Sequence, residues 1–342
     1  MNVRKRLLVL LTAVVAAGVA ITTAALAAPS QGSGDRTASG RTYSDSVRGL
    51  VYAGLVKDSK NCGPGYRIAT LANNRTVCSH GPDPAPAGTS VKTSVQPVKA
   101  KDVKTEAVCD GDGTSGYRVQ VLYVRASDRA SRFGQYVNSI RTWANEADDI
   151  YYQSAVETGG NRRIRFVHDA SCVIDVREAV IQPNGDDEFG ATTNQLANLG
   201  YNRTDRKYML FVDSNVYCGI GGIMNDDRSA AGNANNNGPS YGRTDTGCWG
   251  GHTAAHELNH NLGGVQLSAP NTSNGWHCTD EYDVMCYSDS PDYPPMRYIC
   301  ADQGHEYRLD CRHDDYYSTN PAAGSYLATH WNSANNRFLI RP

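Results

Sequence analysis

The ten cysteines of this 342-residue chain constrain its fold more than any other feature, and the start of the chain decides how to interpret them. Residues 4–6 are basic, residues 7–28 are almost entirely apolar, and Ala25-Leu26-Ala27 offers the small residues that signal peptidase accepts. The apolar run could instead anchor the chain in a membrane, but its small residues favour cleavage. Export places the cysteines in an oxidising compartment, where disulfides are expected rather than a zinc–cysteine site.

The connectivity of these cysteines cannot be deduced from their spacing alone. The simplest hypothesis pairs each cysteine with its nearest neighbour along the chain. It predicts five local disulfides: Cys62–Cys78, Cys109–Cys172, Cys218–Cys248, Cys278–Cys286 and Cys300–Cys311.

Composition divides the chain into three parts. Residues 1–27 are predicted to be a signal peptide, residues 28–107 a leader or pro-region, and residues 108–342 the main domain. Within the leader, a small unit closed by the Cys62–Cys78 bond is followed by a Pro-rich linker over residues 80–104. The net charge of −2 is spread along the chain without a basic patch, which argues against nucleic-acid binding. After cleavage of the signal we expect a secreted protein with no membrane segment.

Hydrophobic periodicity predicts an α/β or α+β domain with a mixed sheet. Alternating or continuous apolar runs predict strands, and apolar residues at helical spacing predict helices. The predicted strands cover residues 117–124, 163–167, 172–181 and 207–212, and the predicted helices cover residues 132–154 and 189–199. Residues 219–248 are crowded with Gly and Asn and are interpreted as one long loop under a disulfide.

The chemistry is concentrated in His256-Glu257-Leu258-Asn259-His260, an H-E-x-x-H sequence. On a helix, residues four apart share a face, so both imidazoles can bind one zinc ion. Glu257 is then placed to take a proton from a water molecule on that ion while the water attacks a peptide carbonyl. His252 lies eight residues before His260, about 12 Å along a helix, and is interpreted as a residue near the helix start.

The segment from His252 to Tyr287 resembles the zinc-endopeptidase clan of the metzincins. Gly263 follows at the spacing of the clan signature H-E-x-x-H-x-x-G-x-x-H, and Asp283-Val284-Met285-Cys286-Tyr287 is similar to its Met-turn. The resemblance implies a metzincin-like fold in which Gly263 lets the chain turn back toward the metal. It also implies that Met285 supports the metal site and that Tyr287 stabilises the oxyanion of the reaction.

The chain departs from that signature at the third metal ligand, where Gln266 stands in place of His or Asp. A glutamine carbonyl is a weak and uncommon zinc ligand. His277 and Asp280 lie just downstream and are alternatives. We rank His277 first because imidazole is the better donor and because a Cys278–Cys286 bond would fix its loop near the Met-turn.

The predicted function is therefore that of a secreted zinc endopeptidase acting on extracellular proteins or peptides. Calcium is a second candidate cofactor, although acidic segments such as Asp110-Gly111-Asp112 are interpreted as turns rather than as calcium loops. Two alternatives remain open. The departure at Gln266 is compatible with a secreted binding module that has lost turnover, and a zinc site can also hydrolyse a bond other than a peptide bond.

Overall fold

The computed structural model describes residues 43–45, 50–52, 54–68 and 77–342, so the predicted signal peptide lies outside the described residues. In the part of the chain that is described, no helix combines the length and the apolar character needed to traverse a lipid bilayer. Helices and strands are numbered below in chain order over these residues.

The strands are short at both ends of the chain and long in its centre. They are β1 Tyr43–Asp45, β2 Leu50–Tyr52, β3 Leu55–Lys57, β4 Tyr66–Ile68, β5 Cys78–Ser79, β6 Arg118–Ala126, β7 Arg163–Ile164, β8 Val176–Ile181, β9 Arg206–Val212, β10 Gly219–Ile223, β11 Ser240–Asp245, β12 Asp280–Glu281, β13 Arg297–Tyr298 and β14 Leu339–Ile340. The α-helices are α1 Ser59–Cys62, α2 Phe133–Glu157, α3 Phe189–Asn198, α4 Gly251–Leu262 and α5 Tyr326–Thr329. Turns of 3₁₀ helix cover Ala100–Asp102, Ala234–Asn236, Gln303–Tyr307, Cys311–His313 and Ser333–Asn335.

An eight-stranded mixed sheet organises the described residues, with the strand order β3-β4-β5-β10-β11-β9-β6-β8. Neighbours are parallel from β11 to β8 and antiparallel from β3 to β11. The predicted fold class, a mixed sheet with helices, is confirmed. The central strands β6 and β9 are buried at nearly every position because helices cover both faces of a parallel sheet.

Successive residues of the central strands belong to two different cores. Val121 and Tyr123 of β6 pack with α2 and α4, whereas Leu122 and Val124 pack with α3 on the opposite face. This alternation follows from the two-residue period of a strand. The predicted helices agree with α2 and α3, and the predicted strands over 117–124 and 207–212 agree with β6 and β9, each within three residues at its ends.

The interpretation of residues 219–248 as one long loop is wrong, because this segment contains β10 and β11. The glycines of this segment are explained by packing, because α4 lies so close to β10 and β11 that side chains would not fit there. A Cβ atom on Gly219 would lie 2.0 Å from Oε1 of Glu257, and one on Gly242 would lie 2.8 Å from Cβ of Glu257. Here Gly marks a strand that a helix approaches closely rather than a turn.

The leader does not stand apart from the main domain. Its strands β3, β4 and β5 extend the sheet, and β5 pairs antiparallel with β10, the neighbouring strand of the main domain. All five predicted disulfides are present with the predicted pairing. Cys62–Cys78 closes a loop within the leader, and the other four lie within the main domain.

Candidate metal centre

Helix α4 carries the H-E-x-x-H sequence and is buried along most of its length. His256, Glu257 and His260 are each at most 5% exposed. The helix ends at Gly263, which has a φ of 97° in the left-handed region, and its N–H donates to the carbonyl of His260. A Cβ at Gly263 would lie 2.4 Å from Nε1 of Trp331, so both backbone conformation and space demand glycine here.

Three imidazoles meet at the C-terminal half of α4. Nε2 of His260 lies 3.0 Å from Nε2 of His256 and 3.1 Å from Nε2 of His277. Two nitrogens bound to one tetrahedral zinc ion at its usual bond lengths are about 3.3 Å apart, so these spacings are close to those of a shared ion. Of the three candidates for the third ligand, His277 is the one that contacts the histidine pair.

Gln266 and Asp280 lie in other surroundings. The amide nitrogen Nε2 of Gln266 donates hydrogen bonds to the carbonyl oxygens of Met224 and Gly263, at 3.2 and 2.8 Å. Asp280 belongs to a separate group of carboxylates with Asp314 and Asp315. His252 lies at the start of α4, where Nε2 is 3.3 Å from a carboxylate oxygen of Glu306, as the helix-start interpretation predicts.

The other ring nitrogen of two histidines has a fixed partner. Nδ1 of His256 lies 2.7 Å from the carbonyl oxygen of Val284, and Nδ1 of His277 lies 2.5 Å from Oδ2 of Asp289. Burial opposes a charge on His277, but Asp289 outweighs burial and raises the pKa of this imidazole to about 9. The Asp289 carboxylate at Nδ1 therefore favours the binding of a cation, either a proton or a metal ion, at Nε2 on the other side of the ring. Asp289 is not among the residues predicted from the sequence.

Met285 and Tyr287 both lie close to the histidines in the fold. Met285 is fully buried in the main core together with α4, and its carbonyl accepts a hydrogen bond from the N–H of Cys278. The ring of Tyr287 packs on that of His277, with 4.0 Å between the ring centroids. The Cys278–Cys286 bond joins the His277 loop to the turn that carries these two residues.

Two residues of the leader, His80 and Asp83, reach this centre, and neither was predicted from the sequence. The Asp83 carboxylate lies 3.5 Å from Nε2 of His256 and 3.5 Å from Nε2 of His277, and it accepts a hydrogen bond from the Tyr287 hydroxyl. His80 stacks on His260 at 4.0 Å between centroids, and its Nδ1 lies 3.2 Å from Oδ1 of Asp83. The signal that could have found them is a His and an Asp in a proline-stiffened stretch, Ser79-His80-Gly81-Pro82-Asp83-Pro84.

Glu257 and Asp83 form a buried pair of carboxylates. No hydrogen-bond donor among the described residues reaches either oxygen of Glu257. Burial raises the pKa of Glu257 well above its ordinary value, and the charge of Asp83 raises it further. Burial also acts to raise the pKa of Asp83, but His80 and His256 outweigh it and hold this pKa low. Glu257 is therefore the member of the pair that takes up a proton.

This set of donors suits a divalent metal ion. The metal-competent groups are His80, Asp83, His260 and His277 in one combination and Asp83, His256 and Glu257 in another, with Asp83 common to both. We assign the three meeting Nε2 atoms and Asp83 as the first candidates. His80 is set apart because its Nε2 already accepts the N–H of Gly221 at 3.3 Å.

Open space adjoins the centre on the side where α4 begins. A cavity of about 170 Å³ lies against His256 and Tyr287, and a groove of about 930 Å³ continues along Trp249 and Tyr307. Both are lined in part by the leader, residues 83–86 for the cavity and residues 86, 87 and 89 for the groove. The leader therefore covers the approach to the histidines.

Comparisons with known proteins do not assign this chain to a family. No family model matches the chain, and no curated protein matches it. Among solved structures, metalloproteinase-II from Bacteroides fragilis is similar with 14% identity and a TM-score of 0.28, over 63% of this chain and 59% of that one. A chaperone–substrate complex is similar with 17% identity and a TM-score of 0.23, over 46% of this chain and 25% of that one. This chain thus spans about three fifths of the metalloproteinase's length, and scores this low carry no argument.

Proposed function

We propose that this chain is a secreted zinc-dependent endopeptidase of metzincin type. The observation that carries the proposal is a group of three buried imidazoles beside the carboxylate of Glu257. Nε2 of His260 lies 3.0 Å from Nε2 of His256 and 3.1 Å from Nε2 of His277. Three neutral imidazoles with a further position for water are the ligand set typical of catalytic zinc. The five disulfides support export to an oxidising compartment.

The roles of the residues follow from their positions. Zinc held by His256, His260 and His277 would supply a Lewis acid and a water of lowered pKa. Glu257, one residue beyond the first ligand, takes the proton of the attacking water and returns it to the leaving amine. The hydroxyl of Tyr287, which here donates to Asp83, is available to the oxygen of the scissile carbonyl once Asp83 has left.

We further propose that residues 28–107 are a pro-region that keeps the enzyme latent. Asp83 lies against two of the three ligand nitrogens and against Tyr287, so it occupies the position that water and the substrate carbonyl require. From Asp83 the leader continues along the groove beside α4, which residues 86, 87 and 89 line. The N–H of Asp83 also donates to the carbonyl of Gly219, next to the pairing of β5 with β10.

Removal of the leader would expose the edge of β10. An extended peptide can add to such an edge through main-chain hydrogen bonds, as β5 does in this structure. Extracellular proteins or peptides in extended conformation are therefore the substrates we propose.

The test compares the full-length chain with its Glu257→Ala variant. Lys92, Lys99, Lys101 and Lys104 are exposed, so limited trypsin digestion can cut the leader C-terminal to Asp83. We expect about one zinc per chain in both proteins, cleavage of casein by the trypsin-treated chain, and none by treated Glu257→Ala. His260→Ala should lose the zinc.

The alternatives give different results in the same experiment. A zinc-loaded, trypsin-treated chain that cuts no protein or peptide would refute the endopeptidase and favour a binding module. Cleavage of esters or cell-wall amides without cleavage of proteins would favour hydrolysis of a non-peptide bond. Full activity of the uncut chain would refute the latency proposal alone.

A further inference from the structure

A second group of acidic side chains lies beyond the histidine centre, where the Met-turn meets the segment after β13. Asp280 and Asp315 are each 1% exposed, and Asp314 is half-buried. One carboxylate oxygen from each lies within 4.8 Å of the others. Two further carboxylates, Asp283 and Asp310, are buried beside them.

The two neighbouring carboxylates are fully engaged by the protein. Asp310 accepts the backbone N–H groups of residues 314–317. Asp283 accepts the N–H groups of Met285 and Cys311 and the hydroxyl of Tyr316. These two side chains therefore have a structural role, because they tie the turn before Met285 to the segment 310–317.

Asp280 differs from them. Its Oδ2 is buried and has no hydrogen-bond partner among the described residues. Asp315 accepts the backbone N–H and the side-chain amide of Asn271 at 2.7 and 2.9 Å. No Lys, Arg or His in the described part of the chain forms an ion pair with any of the five carboxylates. The nearby positive charges of Arg312, Arg297 and His313 act on Asp314 without pairing with it. Burial first, and then Asp315 and Asp283, raise the pKa of Asp280 to about 9.

We propose that Asp280, Asp314 and Asp315 form a calcium site. The donors are oxygen atoms only, which a hard cation prefers. Ligands on opposite sides of Ca²⁺ are about 4.8 Å apart at its usual bond lengths, so the spacing of the three oxygens can accommodate the ion. The half-exposed Asp314 gives the ion access from solvent and leaves room for water ligands.

The ion would join two segments that are distant in sequence. Asp280 lies inside the loop closed by Cys278–Cys286, three residues after His277. Asp314 and Asp315 belong to the chain that packs below the same loop. Calcium would thus hold the His277 loop against the body of the domain, in addition to the disulfide. This site is independent of the proposed peptide hydrolysis.

The experiment measures thermal unfolding of the full-length protein with and without calcium chloride. Every sample carries Glu257→Ala, so self-digestion cannot occur whether or not the proposed function is correct. We expect the melting temperature to rise by about 3 °C at a calcium concentration ten times the dissociation constant. Calcium bound per chain, measured after gel filtration in calcium buffer, should be about one.

Three variants make the result specific. Asp280→Asn and Asp314→Asn should abolish the rise, and the second tests the site even if the buried Asp280 variant does not fold. Asp112→Asn, an exposed acid in a different loop, should keep it. A chain that does not respond to calcium, or a rise that survives in both cluster variants, would overturn the proposal. An equal rise with magnesium chloride would overturn the assignment to calcium.

Discussion

Replacing Asp83 by alanine tests the proposal that the leader blocks the histidine centre. Asp83 accepts the Tyr287 hydroxyl, lies 3.2 Å from Nδ1 of His80, and lies 3.5 Å from His256 and His277. It is 5% exposed, so these interactions are little screened by solvent. A buried hydrogen bond to a charged group contributes about 2 kcal/mol to stability, and Asp83→Ala removes at least one such hydrogen bond. The closed state of the leader should weaken by that amount, a factor of about thirty.

The assay follows casein or peptide cleavage by the uncut full-length chain. We expect uncut Asp83→Ala to be about thirtyfold more active than the uncut wild type, because the water and carbonyl positions are free more often. After trypsin has removed the leader, both proteins should have equal activity, since residue 83 is then absent from the enzyme. The difference in activity between the uncut and the trypsin-treated proteins distinguishes a residue that blocks the site from one that acts in catalysis.

Asp102→Ala is the matched control, because Asp102 is an exposed carboxylate of the same leader. It should leave the uncut chain as inactive as the wild type. The reasoning is refuted if uncut Asp83→Ala stays inactive while both trypsin-treated enzymes work. It is equally refuted if the treated Asp83→Ala enzyme is less active than the treated wild type.

Three further predictions concern the surroundings of the site. Asp289→Asn should weaken zinc binding about 10- to 100-fold in a chelator competition, because the ring of His277 loses the carboxylate behind it. Gly242→Ala should lower the free energy of unfolding by about 1–3 kcal/mol in a urea titration, because its Cβ would press on α4. The hydrogen bond that His305 donates to the Glu157 carboxylate raises the pKa of His305, so this contact stabilises the fold fully below about pH 6.5 and is lost as the pH rises through the raised pKa. His305→Gln should therefore destabilise the protein more at pH 6 than at pH 8.5.

Two of the three predictions have a matched control variant, and the third compares the same variant at two pH values. Asp292→Asn alters an exposed carboxylate of the same loop as Asp289 and should keep the zinc affinity. Gly134→Ala adds a methyl group to α2 where no atom lies within 4 Å, so it should not destabilise. The first argument is contradicted if Asp289→Asn leaves the zinc affinity unchanged, and the second if the Gly242→Ala protein is as stable as the wild type. The third is contradicted if the effect of His305→Gln does not depend on pH.

The sequence predicted the parts of the fold that local patterns specify. The apolar spacing of α2, the alternating pattern of β6 and the apolar run of β9 follow from rules that act over short distances in the chain. The five disulfides agree with the nearest-neighbour hypothesis, although spacing alone does not fix their connectivity. The histidines of α4 share a face because they lie four residues apart on one helix. His277 could be ranked first from donor chemistry and its neighbouring cysteine, although its contact with His260 spans seventeen residues.

The parts that could not be predicted depend on contacts between distant segments. His80 stacks on His260, far along the chain, and nothing in a proline-rich stretch indicates which surface it will cover. The glycines of β10 and β11 were interpreted as loop residues because the side chain that needs the space, that of Glu257, belongs to a later helix. Likewise Asp289 acquires its role only when the loop after Met285 folds back on His277.

The placement of the disulfides has a consequence for how the proposed enzyme is switched on. None of the five disulfides, which together use all ten cysteines of the chain, joins the leader to the rest, since the Cys62–Cys78 bond lies within the leader. If the leader inhibits as proposed, a single cut between Asp83 and residue 108 would convert a tethered inhibitor into a separate molecule, and its effective concentration at the site would fall to that in the surroundings. Dilution then completes activation, and the freed peptide, added back at high concentration, should inhibit in trans.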